Sequence, residues 1–126
     1  MRYALFALFL ASFLGCATVT TAHNFHGVNV EGDESPIETV MIENTGWTMF
    51  KFIPIGSGDP KNPNKNTCCM FEDTTTLQNN LDMLEAEMKR IGATRMKNLS
   101  SKTVDESLFL MLFTRTACHT SAVLLK

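Results

Sequence analysis

Leu108-Phe109-Leu110-Met111-Leu112-Phe113-Thr114-Arg115-Thr116-Ala117-Cys118-His119-Thr120-Ser121-Ala122-Val123-Leu124-Leu125 occupies nearly the whole C-terminal end of the chain. Its first six residues are apolar with no polar alternation, a length and composition that predict a central strand covered on both faces. Left exposed, such a run would be an aggregation hazard. Thr114-Arg115-Thr116 reads as the turn of an antiparallel hairpin, and Ala117–Leu125 reads as the last strand.

Outward from this stretch, Ala93–Leu99 reads as a further strand, with Leu99 out of phase with Met96. Before it lies the clearest helix, Thr75–Ile91. Leu77, Leu81, Leu84, Met88 and Ile91 recur at steps of four and three and draw one apolar stripe. Thr75 and Gln78 fit a capping box, Glu85 and Lys89 form a favourable i,i+4 pair, and Gly92 suits the left-handed position after the last turn. Ile37–Asn44 is rich in β-branched residues and ends at a turn signal, so it reads as a strand. Trp47–Ile55 is dense in aromatics and interrupted by Pro54, which cannot donate to a ladder. Trp47, Phe50 and Phe52 are expected in the core. Residues 56–67 form a loop by composition. The order of these elements predicts an α+β fold. It is a two-layer sandwich, with one amphipathic helix on a mostly antiparallel sheet of three to five strands.

The chain has 126 residues, enough for one domain, with a formal net charge of −2 and a pI of about 5.9, which argues against nucleic acid as a natural partner. Met1-Arg2-Tyr3 is followed by the apolar run Ala4–Leu14, broken only by Ser12. This is the layout of a secretory signal and is too short to span a bilayer as a helix. Phe13-Leu14-Gly15-Cys16 resembles a bacterial lipobox, in which a small residue precedes the cysteine that becomes the lipidated N-terminus. The expected organisation is a signal peptide over 1–15, a lipidated N-terminus and flexible tether over 16–36, and a single domain over 37–126. His23 and His26 fall in the tether and read as solvated. Ordinary cleavage after Ala22 is the competing reading and would discard Cys16.

Cys68, Cys69, Cys118 and His119 are the only grouping with potential chemistry. An exported chain meets an oxidising compartment, so a disulfide of Cys68 or Cys69 with Cys118 is expected. Adjacent Cys68 and Cys69 cannot bridge each other without a strained ring. The same four residues offer soft ligands for Zn²⁺ or Cu(I), but adjacent ligands suit a tetrahedron poorly. Cys118 and His119 would also face opposite ways on a strand. No catalytic motif or cofactor fingerprint is present, so neither a cofactor nor an enzymatic activity is expected.

From Ile37 to Lys126 the order of elements resembles small exported bacterial domains with a strand–helix–strand–strand core. The Rcs envelope-stress sensor lipoprotein and the YbjQ-like domains are examples. Ile91-Gly92-Ala93 and Ser121-Ala122-Val123 carry the likeness. The Trp47–Phe52 segment and the Cys68-Cys69 pair set the chain apart, so no signalling or metal role is carried over. Gly46-Trp47, Pro54-Ile55-Gly56 and Cys118–Val123 look like those of small bacterial lipoproteins. The resemblance implies a non-enzymatic envelope lipoprotein, attached through Cys16 to the outer membrane and facing the periplasm. Its small binding or sensing domain would meet the membrane or another envelope protein. The alternative is a soluble exported or periplasmic domain that binds a metal or redox partner through Cys68, Cys69, Cys118 and His119. If the chain were instead secreted by a eukaryote, Asn98-Leu99-Ser100 would be a glycosylation sequon.

Overall fold

A computed structural model describes residues 14–23, 36–65, 67–110 and 112–126. Most of the expected signal segment, and the stretch 24–35 with His26, lie outside the described residues. The elements run β1 (Ala17–Ala22), β2 (Pro36–Met49), β3 (Ile53–Gly58), β4 (Cys68–Met70), α1 (Leu77–Ile91), β5 (Arg95–Leu108) and β6 (Phe113–Leu125). The strands make one six-stranded sheet in the order β4-β3-β2-β6-β5, with β1 also paired to β2. Every pairing is antiparallel. β1 and β3 share one edge of β2 end to end, β1 opposite Thr39–Asn44 and β3 opposite Gly46–Met49.

This corrects the expected two-layer sandwich of three to five strands: the fold is dominated by its sheet. The reason is one of length. β2 and β5 have 14 residues each, and α1 has 15. At about 3.3 Å per residue the strands reach roughly 46 Å, while a helix at 1.5 Å per residue reaches about 22 Å. One such helix covers only the middle of the sheet and cannot balance it as a full second layer. β5 lies beyond its cover, with only Val104 half-buried and the rest exposed.

The C-terminal stretch is also corrected. Leu108–Phe113 is not a central strand. Leu108 pairs with Phe113, and Phe109, Leu110 and Leu112 lie in the turn between β5 and β6. Leu112 N–H donates to the Phe109 carbonyl at 3.0 Å. Thr114-Arg115-Thr116, expected as the turn, lies inside β6 opposite Thr48, Trp47 and Gly46. An apolar run without a period does not reveal which part bends. The register is set instead by residues with a period: Thr114, Cys118, Thr120, Ala122 and Leu124 alternate inward and are buried.

The core lies between α1 and the middle of the sheet. It comprises Ala17, Val40, Ile42, Met83, Leu84, Ala122 and Leu124, with Met88 and Ile91 packed against it. The helical stripe is therefore rotated from the expected one: Asn80, Met83 and Leu84 are buried, whereas Leu77 is half exposed. The N-cap is Thr76, which accepts from Asn79 N–H at 3.2 Å, while the Thr75 hydroxyl turns to Asp73. Gly92 ends the helix as expected at φ 78°, its N–H on the Met88 carbonyl, and Glu85 pairs with Lys89 at 2.6 Å. The aromatic segment departs from the expected core. Trp47 is half-buried, but Phe50 and Phe52 are 47% and 74% exposed.

The expected tether begins as a strand. Ala17 is 1% exposed and joins the core. Asn64 closes the free edge of β1 like a short strand: its Oδ1 accepts from Val19 N–H and its Nδ2 donates to the Val19 carbonyl, both at 2.9 Å. Asn64 N–H also donates to the Ala17 carbonyl at 2.9 Å. These bonds satisfy backbone groups that an edge strand would otherwise leave to water.

Candidate functional site

Because side chains alternate across a strand, register determines which residues meet. On the face turned away from α1, Thr18 of β1, Glu43 of β2, His119 of β6 and Lys102 of β5 stand in one row across four strands. The neighbouring row is Thr20, Met41, Ser121 and Ser100. Together they line a hollow of about 220 Å³. On the other side, Arg115 approaches Glu106 at 3.5 Å and Glu43 at 4.0 Å. These pairs are exposed, so they order the face more than they stabilise it. Met41, 61% exposed, supplies an apolar wall. Hydroxyls, an imidazole, an ammonium and a carboxylate converge there, so the hollow can take a small polar ligand through mixed donors and acceptors.

The structure does not assemble the expected cysteine site. All four cysteines are free thiols. Cys68 and Cys69 lie on β4, opposite Gly58 and Ser57, while Cys118 lies on β6 opposite Asn44. In the order β4-β3-β2-β6 this separates them by three strand spacings of about 4.8 Å each, roughly 14 Å. A disulfide needs Cα atoms within about 7 Å. The metal alternative fails on the same separation, and no grouping of metal-binding side chains occurs among the described residues. Cys118 is fully buried beneath α1 and touches the hydroxyls of Ser101 and Thr103 at 4.0 and 3.8 Å. His119 faces the opposite way, into the hollow, as strand alternation predicts. Burial pushes the Cys69 thiol up, and the carboxylates of Asp59 and Glu72 push it the same way. It therefore resists becoming the thiolate that a metal or a redox partner needs.

Cys16 is exposed, and its backbone is tied to β2. Its N–H donates to Thr45 Oγ1 at 2.9 Å, and its carbonyl accepts from Thr45 N–H at 2.8 Å. Leu14, Gly15, Cys16, Lys65, Thr67 and Cys68 border a hollow of about 410 Å³ there. His23, read as solvated, is 72% exposed with its Nε2 3.5 Å from the buried carboxylate of Glu38. Sequence reasoning singled out His119 but not its companions Thr18, Glu43, Lys102 and Arg115. Their only signal was placement on strands, and it acquires meaning once register is known.

No family model matches the chain, and no similar curated protein or solved structure was found.

Proposed function

We propose that the chain is a non-enzymatic envelope lipoprotein, attached to a membrane through Cys16, whose open sheet face binds a small polar ligand around His119. One observation carries the attachment: β1 belongs to the sheet. Cleavage after Ala22 would remove all of β1, take Ala17 out of the core and bare six residues of the β2 edge. Cleavage before Cys16 keeps the strand whole and leaves an exposed cysteine at its head. The acyl chains of such a cysteine hold a protein on a bilayer by burying CH₂ groups at about 0.8 kcal/mol each. β1 starts at the next residue, so the domain would sit close to the membrane rather than on a long tether. Mass spectrometry of the mature protein from membranes tests this. An acylated N-terminal Cys16, with release from the membrane in Cys16→Ser, is the expected result. A mature chain that begins at His23 overturns it.

A further inference from the structure

Two hairpin turns end side by side at one end of the sheet. The β2–β3 turn carries Phe50 and Lys51, and the β5–β6 turn carries Phe109 and Leu110. Phe50 N–H donates to the Leu112 carbonyl at 2.8 Å, which ties the turns together. Phe50, Phe52, Phe109, Leu110 and Leu112 are 47%, 74%, 68%, 101% and 44% exposed. Phe71, 75% exposed, follows β4 and donates its N–H to Ile55, close to the same end. The four turn residues have positive φ, at 52° and 68° for Phe50 and Lys51 and at 48° and 52° for Phe109 and Leu110. Such positions favour Gly or Asn, and bulky residues there hold a strained backbone. A cluster of exposed apolar side chains is thus placed on turns whose backbone least suits them, and strain of this kind points to use.

We propose that this end of the sheet is a lipid-contact surface, in which the paired turns enter the interfacial region of a bilayer. Three observations favour lipid over a rigid partner. The surface projects as two adjoining tips, a shape suited to a fluid matrix rather than to a pocket. Among the sequence positions 49–53 and 108–113 the only charged residue is Lys51, and no carboxylate is present. A single lysine among aromatics can reach anionic headgroups while its stem and neighbours lie deeper. Finally, β1 runs antiparallel to β2, so the chain enters the sheet from the side of the turns, with Gly15 against Thr45 and Ser57. The inference deepens the membrane reading above, yet it rests on the turns and not on Cys16.

The test uses the full chain with vesicles of phosphatidylethanolamine and phosphatidylglycerol, some containing brominated acyl chains. Leu110→Trp adds a reporter at the tip, Met96→Trp adds one at the far end of β5, and the parent chain supplies the Trp47 background. The expected result is a blue shift and bromolipid quenching for Leu110→Trp, neither for Met96→Trp, and loss of both when Phe109→Asp is added. Circular dichroism checks that each variant keeps its sheet. If the chain binds vesicles but the tip reporter stays open to an aqueous quencher, the lipid-contact surface is wrong and the anchor reading stands. If the chain does not bind vesicles at all, the lipid-contact surface fails, while the anchor reading is decided separately by the mass of the mature N-terminus. If the chain is an oligomer in solution that Phe109→Asp dissociates, a second copy covers the tips and the inference is overturned.

Discussion

Gly58→Ala should weaken this fold far more than a single methyl group suggests. Gly58 ends β3 where the chain crosses from Gly15 into β1. A Cβ on Gly58 would stand 2.3 Å from Ala17 N and 2.4 Å from the Cys16 carbonyl carbon, against about 3.4 Å for ordinary contact. Something must therefore move by about 1 Å. Both obstructing atoms are backbone, so no rotamer change relieves them, and Gly58 has no positive φ that would itself penalise alanine. Overpacking costs roughly 1–3 kcal/mol, and a contact with fixed backbone belongs at the upper end, about 3 kcal/mol. For a domain of about 100 residues each kcal/mol shifts Tm by roughly 4–8 °C, so a fall of about 12–24 °C is expected in thermal unfolding. If β1 lets go instead, the Tm falls less, but amide exchange accelerates across Ala17–Ala22. Gly92→Ala is the matched control. No atom lies within 4 Å of its Cβ position, and its φ of 78° is the only obstacle, so the loss should be about 1–2 kcal/mol. A Gly58→Ala protein with its Tm within about 2 °C of the parent and β1 still protected would refute the crossing, and with it the argument that β1 belongs to the mature domain.

The rotated helix stripe makes a second comparison. Leu84→Ala, at a fully buried site, should cost about 2–5 kcal/mol, whereas Leu77→Ala, half exposed, should stay within about 0.5 kcal/mol in urea unfolding; equal losses would restore the original stripe. A third concerns the thiols. In chain expressed without lipidation, Cys69 should alkylate more slowly than exposed Cys16 at mildly alkaline pH, because its raised pKa leaves less thiolate. Equal rates, followed by peptide mapping, would contradict that environment.

Local signals were legible where one segment held all the information. The α1 span, its Gly92 end and the Glu85–Lys89 pair depend on neighbours three or four residues apart, and they appear in the structure as read. The cap moved by one residue because Thr75 and Thr76 are both suitable and Asp73 takes the Thr75 hydroxyl. Leu108–Phe113 defeated the reading because six apolar residues fit a buried strand and an exposed turn equally well by period. The strand β1 was hidden for a related reason: Ala-Thr-Val-Thr-Thr-Ala is weakly patterned, and its partners, Thr39–Asn44 and Asn64, lie far away in sequence.

The sequence by itself determined an apolar N-terminal segment ending at Gly15-Cys16, one amphipathic helix, and a strand at the C-terminal end. These follow from composition and short-range periodicity, which need no partner. Only the tertiary structure decided the six-stranded sheet, the separation of Cys68 and Cys69 from Cys118, the row joining His119 to Glu43 and Lys102, and the apolar tips. Each depends on register and strand order. Those are set by pairings between segments distant in the chain, where a shift of one residue exchanges the two faces of a strand.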